Sequence, residues 1–111
     1  MLDTPDVSVI IPTKNRAHLL PEALCSALSA ATQAASLART EIIVIDDGSA
    51  DDTARVALQF PIRYMSNQGS GIDAARNTGI AAAHGRYIGF LDDDDVWLDC
   101  HLTRHLLAHR R

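Results

Sequence analysis

The chain has 111 residues, 47% of them apolar, and a formal net charge of −4 at pH 7. This is enough for one globular domain with a buried core, which we expect to occupy residues 1–111, and the mild acidity argues against a nucleic-acid partner. No apolar run approaches the roughly 20 residues that cross a bilayer, and the first residues are acidic where a signal peptide is basic. Two cysteines outside any Cys-x-x-Cys pair indicate neither a disulfide framework nor a zinc site, so we expect a cytoplasmic chain.

Apolar runs and helical periodicities alternate along the sequence. Runs of β-branched residues bounded by turn residues predict four strands, and apolar positions three and four residues apart predict four helices. In chain order the predicted elements are a strand over 7–12, a helix from Leu19 that fades beyond Leu28, a strand over 41–46, a helix over 50–59, a strand over 61–65, a helix over 70–83, a strand over 86–91 and a helix from Val96 to the C-terminus. Ser49 and Ser70 each have an aspartate three residues later, which predicts that both serines cap the helices that follow.

The alternation of strands and helices indicates the fold class. The predicted strands are continuously apolar, as in parallel sheets that are covered on both faces. We therefore expect an α/β fold, a doubly wound and mainly parallel sheet of about four strands with helices on both faces. In such sheets ligands bind beyond the carboxyl ends of the strands. The polar segments that follow the strands should then meet at one edge, namely 12–15, 46–49, 67–69 and 92–95.

Four consecutive aspartates, residues 92–95, follow the last predicted strand. Carboxylate oxygens suit hard cations such as Mg²⁺ and Mn²⁺, whose other coordination positions go to water and phosphates. Aspartates are also common in the first turn of a helix, and the two roles can coexist. We expect a divalent cation, Mn²⁺ or Mg²⁺, at this segment together with a phosphorylated ligand.

Four short segments, taken together, resemble the family 2 glycosyltransferases of the GT-A fold. Each motif alone is weak, and the resemblance becomes specific because the order and spacing agree over almost the whole chain. The segments are VSVIIPTKNR at 7–16, VIDDGS at 44–49, ARNTGI at 75–80 and FLDDDDVW at 90–97. The resemblance implies the fold of nucleotide-diphospho-sugar transferases and, for residues 1–111, the donor-binding half of such an enzyme.

The resemblance implies that the nucleotide of a sugar donor, most often a uridine diphosphate sugar, lies across the strand ends. Pro12 and Thr13 would line the pocket of the base, and Asp47 would accept a hydrogen bond from the base. Arg76 would lie beside the base or the phosphates. Lys14 departs from the family pattern, because many relatives carry at this position an aromatic side chain that stacks on the base.

The same resemblance implies roles for the acidic run. Asp94 would be the metal ligand, with Asp92 as the other candidate, and Asp92 and Asp93 would serve the ribose and support the ligand. Because four aspartates stand in a row, the match to the family motif can be shifted by one residue. Asp95 is equally able to cap the last helix. A bound cation would relieve the repulsion between charges that lie this close together.

No catalytic residue is assigned in this chain. Members of the family continue into a region that supplies the acceptor site and a general-base aspartate, and no residue here matches that motif. A general base has to lie within hydrogen-bond reach of the acceptor hydroxyl. The expected function is donor binding within an enzyme that transfers a sugar, with inversion, from a nucleotide diphosphate donor to an unknown acceptor. The resemblance allows a peripheral location of the intact enzyme at the inner face of the membrane.

A second hypothesis stays open beside the enzyme. A module of the same fold without catalysis could bind a ligand or associate with itself, and an open sheet edge is a template for pairing. A homodimer through the uncovered sheet face or edge would fit this hypothesis. A dinucleotide-binding protein is disfavoured, because no Gly-x-Gly-x-x-Gly follows the first strand.

Smaller features of the sequence have structural interpretations. His101, His105 and His109 recur every four residues on the last predicted helix, and we interpret them as a solvated basic face rather than a row of metal ligands. Cys25 is expected to be a small core residue. Trp97 is expected to be a core anchor below the aspartates.

Overall fold

The computed structural model describes residues 4–109. Within this range four strands and four helices alternate, as the sequence predicts. They are β1 (Val7–Thr13), α1 (Leu20–Gln33), β2 (Thr40–Asp46), α2 (Thr53–Ala57), β3 (Arg63–Ser66), α3 (Ile72–Ala82), β4 (Tyr87–Phe90) and α4 (His101–His109). The predicted end of the last helix, at residues 110–111, lies outside the described range. No helix of the described range has the length and apolar content needed to cross a bilayer.

The strands of the described range form one parallel sheet in the order β3-β2-β1-β4. β1 lies between two neighbours, with Val7 opposite Thr40 on one side and Tyr87 on the other. Every residue of β1 is buried, so its apolar residues pack on both faces of the sheet rather than on one. The prediction of a doubly wound α/β sheet is confirmed, and all of its strand pairs are parallel.

The helices of residues 4–109 cover the two faces of the sheet unequally. On one face, α1, α2 and α4 enclose the larger core, to which α1 contributes Leu20, Leu24 and several alanines. On the other face, α3 packs over Ile10, Ile43 and Ile45. Successive residues of β1 alternate between these two cores, as side chains of a strand do.

Helix α3 approaches the sheet closely at Gly79. A Cβ at this position would lie 2.5 Å from Cγ2 of Ile10, far inside the normal contact distance. Gly79 is buried, and the neighbouring buried position on α3, Ala75, is also small. The glycine of the ARNTGI segment therefore sets the separation between α3 and β1.

Neither serine of the predicted capping boxes caps its helix. Ser49 Oγ donates to the Asp46 carboxylate at 2.5 Å, and α2 begins at Thr53, with Asp52 as its N-cap residue. α3 follows Gly71, whose φ of 88° favours glycine, and its start has no side-chain cap. A buried carboxylate requires donors, so Asp46 takes the serine hydroxyl that a capping box would use.

The segment between β4 and α4 is a loop and not the start of a helix, so the predicted helix start at Val96 is wrong. Trp97 donates its backbone N–H to Ser26 Oγ of α1 at 3.0 Å, and its side chain packs against the larger core, which confirms the prediction of a core anchor. The His101 ring stacks on the Trp97 ring with centroids 4.3 Å apart. These contacts hold the loop against α1, and α4 begins only at His101.

The histidines of α4 do not form a fully solvated face. His101 lies between Trp97 and His105, whose ring centroid is 4.5 Å away, and it is half-buried. Burial and then the neighbouring His105 lower the pKa of His101. His109 lies beside the ring of Tyr87 on β4. The predicted solvated face therefore holds for His105 and His109, which are exposed, and is wrong for His101.

Cys25 is exposed, so its predicted place in the core is wrong. α1 turns Ala23, Leu24 and Ala27 toward the sheet, and residue 25 falls on the outer side of the helix. Cys100 is exposed as well, and neither cysteine is in a disulfide.

A polar cluster at the amino end of the sheet joins three strands to the turn before β4. Glu41 accepts hydrogen bonds from Ser8 Oγ at 2.5 Å and from Arg63 Nη1 at 2.8 Å. Its carboxylate also accepts the His84 backbone N–H at 2.7 Å, while the Gly85 N–H donates to Ser8 Oγ at 2.8 Å. Burial by itself raises the pKa of Glu41, but the hydrogen bonds and the Arg63 charge outweigh burial and leave the pKa below its ordinary value.

Candidate functional site

A cleft of about 440 Å³ lies at the carboxyl end of the sheet. Its walls come from the ends of β1, β2 and β4 and from the start of α3. The residues that line it are Pro12, Thr13, Lys14, Arg16, Asp47, Ile72, Ala75, Asp92, Asp93 and Asp94. The segment after β3 joins through Asn67, whose side chain donates to Asp47 at 3.0 Å. The four polar segments therefore meet at one edge, as predicted.

Thr13 and Asp93 connect the end of β1 to the acidic run, residues 92–95. Thr13 Oγ1 donates to Asp93 Oδ2 at 2.8 Å, across 80 positions of the chain. Both residues are buried, with 4% and 7% of their surface exposed. Asp93 is thus the aspartate of the run that turns inward, and its carboxylate is held where β1 and β4 end.

Arg16 reaches the acidic run from the loop after β1. Its Nη1 lies 3.0 Å from Asp94 Oδ2 and 3.4 Å from Asp93 Oδ1. The Arg16 and Asp94 side chains are 44% and 52% exposed, so this ion pair is open to the cleft and to solvent.

No role for Arg16 follows from its sequence position alone. The signal that could have found it is the pairing of β1 with β4, because neighbouring parallel strands bring the loops after them together.

Arg76 of α3 borders the acidic run at Asp92. Its Nη2 lies 3.7 Å from Asp92 Oδ1, and its Nη1 lies 3.8 Å from Asp73 Oδ1 on the same helix. These distances exceed that of the Arg16–Asp94 pair, and Arg76 is not among the residues that line the cleft. The structure places the predicted residue at the rim of the site.

Asp46 ends β2 inside the fold. Its carboxylate accepts hydrogen bonds from the Ser49 N–H at 2.9 Å and from the Tyr64 hydroxyl, and only 5% of the residue is exposed. Burial, followed by the hydrogen bond and the charge of Asp46, raises the pKa of Tyr64 to about 12. The tyrosine hydroxyl therefore remains a donor at neutral pH, and Asp46 serves the structure of this corner.

Asp47, the next residue, faces the cleft. Its backbone N–H donates to the Thr13 carbonyl at 2.9 Å, which ties it to the end of β1. Asp47 Oδ1 accepts from Asn67 Nδ2 at 3.0 Å, and Oδ2 accepts from the Gly71 N–H at 3.1 Å. A carboxylate offers about four acceptor positions, so each oxygen can accept a further hydrogen bond from a ligand.

The acidic run is not a ready-made cage for a cation. Among residues 4–109, no three His, Cys, Asp or Glu side chains are arranged to hold a metal ion. The three carboxylates are engaged within the protein: Asp92 with Arg76, Asp93 with Thr13 and Arg16, and Asp94 with Arg16. A cation at this place would take further ligands from water and from a bound molecule.

Asp95 does not cap the last helix. Its Oδ1 accepts the N–H of the next residue, Val96, at 2.9 Å, and α4 begins at His101. The alternative role for Asp95 is therefore wrong, because the loop around Trp97 separates the acidic run from the helix.

Comparison with known proteins identifies the family. The profile described as Glycosyl transferase family 2 matches residues 8–111. The Escherichia coli enzyme UDP-Glc:alpha-D-GlcNAc-diphosphoundecaprenol beta-1,3-glucosyltransferase WfgD is 36% identical in an alignment of 96 residues, and the match covers 83% of this chain and 36% of that protein.

Solved structures share the fold. S. aureus TarS 1–349 in complex with UDP has a TM-score of 0.77 at 25% identity, over 92% of this chain and 31% of that chain. The mannosyltransferase PcManGT from Pyrobaculum calidifontis, in complex with GDP-Man and Mn²⁺, has a TM-score of 0.71 at 28% identity, over 89% of this chain and 30% of that chain. The chain spans about a third of the length of these three proteins. With the motifs, the sheet topology and the profile in agreement, this chain belongs to glycosyl transferase family 2 and has the GT-A fold of that family.

Proposed function

We propose that this chain binds the nucleotide diphosphate of a sugar donor, with a UDP-sugar as the favoured donor, as the donor-binding part of a glycosyltransferase. The observation that carries the proposal is the cleft at the carboxyl end of the sheet, where Pro12, Thr13 and Asp47 line the same space as the acidic run. Its volume of about 440 Å³ lies in the range of small-molecule sites. The complex of TarS with UDP, at 25% identity, supports the choice of nucleotide.

The base end of the proposed site is formed by Pro12, Thr13 and Asp47. Pro12 and Thr13 belong to the buried strand β1, so they form a rigid surface. A uracil ring presents an N–H donor at its edge, and a carboxylate is a strong, charge-assisted acceptor. The contacts of Asp47 with Asn67 and Gly71 fix its carboxylate before a ligand arrives, which reduces the entropy lost on binding.

The acidic run supplies the proposed cation site. We assign Asp94 as the ligand of Mn²⁺ or Mg²⁺, with Asp92 as the second candidate, because both are exposed at the cleft whereas Asp93 is held by Thr13. The Arg16 guanidinium lies 3.0 Å from Asp94 Oδ2, so this carboxylate already accommodates a positive charge. The Mn²⁺ in the PcManGT complex, at 28% identity, supports the choice of cation. A divalent cation held by these carboxylates would neutralise the charge of a leaving diphosphate.

The remaining predicted residues complete the donor site. Thr13 holds Asp93 where β1 and β4 end. We assign Asp93 a contact with the ribose and a role in supporting the neighbouring carboxylate. Arg76 lies beside Asp92 at the rim of the cleft, and we assign it a contact with the phosphates. No catalytic base is assigned within residues 4–109, and inverting transfer of the sugar to an acceptor is proposed for the whole protein.

A self-associating module is the second candidate function. β4 is an edge strand of the described sheet, and Ile88 and Phe90 on it are 37% and 43% exposed. An unpaired strand with exposed apolar side chains can pair with another chain. Sedimentation at rising protein concentration, together with a titration of UDP, separates the two candidates. A dimer that does not bind UDP favours the module, and a monomer that binds UDP favours the donor site.

Titration calorimetry with UDP tests the donor proposal. We expect the chain to bind UDP in the presence of Mn²⁺ and to lose at least about tenfold in affinity when the cation is chelated or Asp94→Asn removes its ligand. The matched control is Asp52→Asn, a change in the exposed Asp52–Arg55 pair of α2, which should leave the affinity unchanged. Equal UDP affinity in the wild-type and Asp94→Asn chains would contradict the cation site. Absence of UDP binding in every chain would contradict the donor proposal itself.

A further inference from the structure

Arg16 already holds the oxygen that is proposed to bind the cation. Its Nη1 lies 3.0 Å from Asp94 Oδ2, whereas Arg76 approaches the run only to 3.7 Å, at Asp92. We propose that Arg16 is a resident counter-cation that competes with the divalent ion for Asp94 and moves to the donor diphosphate when the nucleotide binds. Arg16 would thereby couple the binding of nucleotide and cation, an inference that rests on the proposed donor site.

A divalent ion and the guanidinium cannot share Asp94 without cost. An ion bound to Oδ2 at about 2.1 Å would lie within roughly 5 Å of Arg16 Nη1, which is 3.0 Å from the same oxygen. At that separation the repulsion between charges of +2 and +1 exceeds the thermal energy several-fold, even with the effective dielectric of a protein surface. One of the two cations has to leave unless an anion lies between them.

The Arg16 side chain is free to change partners while its backbone is fixed. The Arg16 carbonyl accepts the N–H groups of Leu19 and Leu20 at 2.9 and 3.0 Å, at the start of α1. The preceding residue, Asn15, accepts the Ala50 N–H at 2.7 Å through its side chain. The side chain of Arg16 is 44% exposed and ends in the ion pair with the acidic run. Removing its charge therefore leaves the loop anchored.

A nucleotide diphosphate supplies the anion that the site lacks. Guanidinium groups bind phosphate oxygens through paired hydrogen bonds, and Arg16 lines the same cleft as Pro12 and Thr13. Transfer of the guanidinium from Asp94 to a phosphate exchanges one ion pair for another and frees the carboxylate. Linkage then requires that nucleotide and cation each raise the affinity for the other by the same factor.

Binding of Mn²⁺, followed by the electron paramagnetic resonance signal of the free ion, tests this coupling without an activity assay. In the absence of nucleotide, Arg16→Gln should bind Mn²⁺ about two- to fivefold more tightly than the wild-type chain, the range expected for loss of a half-exposed competing ion pair. UDP should raise the Mn²⁺ affinity of the wild-type chain by a larger factor than that of Arg16→Gln. Arg16→Lys keeps the charge and should match the Mn²⁺ affinity of the wild-type chain in the absence of nucleotide, and Arg55→Gln, in the Asp52 pair of α2, should show no change.

The outcomes separate this inference from the donor proposal. Mn²⁺ binding to Arg16→Gln that equals or falls below wild type, with metal-dependent UDP binding still lost in Asp94→Asn, overturns the role of Arg16 and leaves the donor site standing. Tighter Mn²⁺ binding with an unchanged effect of UDP overturns the transfer of the guanidinium to the diphosphate. No Mn²⁺ binding in any variant overturns both the cation site and the inference.

Discussion

Two adjacent carboxylates at the end of β2 have different surroundings. Asp46 accepts hydrogen bonds from Ser49 and Tyr64 inside the fold, whereas Asp47 points to the cleft. Asp46 is the last residue of β2 and Asp47 is the first residue after it, so the two side chains have different partners. A single step along the chain thus separates a residue that maintains the structure from a residue proposed to bind the base.

Asparagine substitutions should separate these two roles. Asp46→Asn places an amide where hydroxyl and backbone donors converge, and we expect it to lower the free energy of unfolding by about 1–3 kcal/mol. Asp47→Asn should lower it by less and should weaken UDP binding about tenfold, because the hydrogen bond to the base loses its charge. Urea unfolding and calorimetry with UDP measure the two effects. The reverse pattern would mean that the roles of Asp46 and Asp47 are exchanged.

The residues at the cleft could be predicted where they follow a strand directly. Thr13 ends β1 and Asp47 directly follows β2, and strand ends are visible in the sequence as the boundary between an apolar run and polar turn residues. Arg16 lies farther along its loop, and its partner is decided by the pairing of β1 with β4. Local patterns do not contain strand order, so this contact could not be read from the sequence.

Among the elements, the central strands were the most predictable. β1 and β2 each extend only one residue beyond their predicted ranges. Buried parallel strands are rich in apolar residues, and these make the strands easy to find in a sequence. The caps of α2 and the start of α4 could not be predicted, because buried Asp46 takes the hydroxyl of Ser49 and Trp97 donates to Ser26, 71 positions earlier. Tertiary contacts override local helix signals at both places.

The packing of α3 on β1 gives a prediction at Gly79. In Gly79→Ala the added methyl group would lie 2.5 Å from Ile10 Cγ2, a fully buried side chain of the central strand. Overpacking of this kind costs about 1–3 kcal/mol, and more where neighbours cannot move, which outweighs the roughly 1 kcal/mol that alanine adds to a helix. We therefore expect a net loss of stability in urea unfolding.

Asn77→Ala is the matched control for Gly79→Ala, because Asn77 lies on the exposed side of the same helix. Alanine has a higher helix propensity than asparagine, so this change should be neutral or slightly stabilising. If both variants gained stability equally, Gly79 would not set the distance between α3 and the sheet.

The whole molecule is held together by different polar contacts at the two ends of its sheet. At the carboxyl end, carboxylates meet arginines around an open cleft. At the amino end, Glu41 of β2 joins Ser8 of β1, Arg63 of β3 and the turn at His84. One carboxylate therefore links three strands and the entrance to the fourth, and we expect it to contribute to the stability of the entire sheet.

The stability of the molecule should depend on pH through Glu41. Because the pKa of Glu41 is lower in the folded chain than its ordinary value of 4.5, its contribution is complete above that value and is lost as the pH falls through the folded pKa. Glu41→Gln should be less stable than wild type by about 1–3 kcal/mol at neutral pH. The difference should shrink in acid, below pH 4.5. Urea unfolding of both chains across this range checks the prediction, and a difference independent of pH would exclude a role for the carboxylate charge.

The position of Trp97 gives the molecule an optical signal of its own. It is the single tryptophan of the chain, it lies three residues after Asp94, and its ring stacks on His101. Indole fluorescence responds to a neighbouring imidazole and to small displacements of the loop that carries it. A rearrangement of the acidic run on binding of cation or nucleotide would therefore change the emission of an unlabelled chain. Both ligands could then be followed in dilute solution through a residue outside the lining of the cleft.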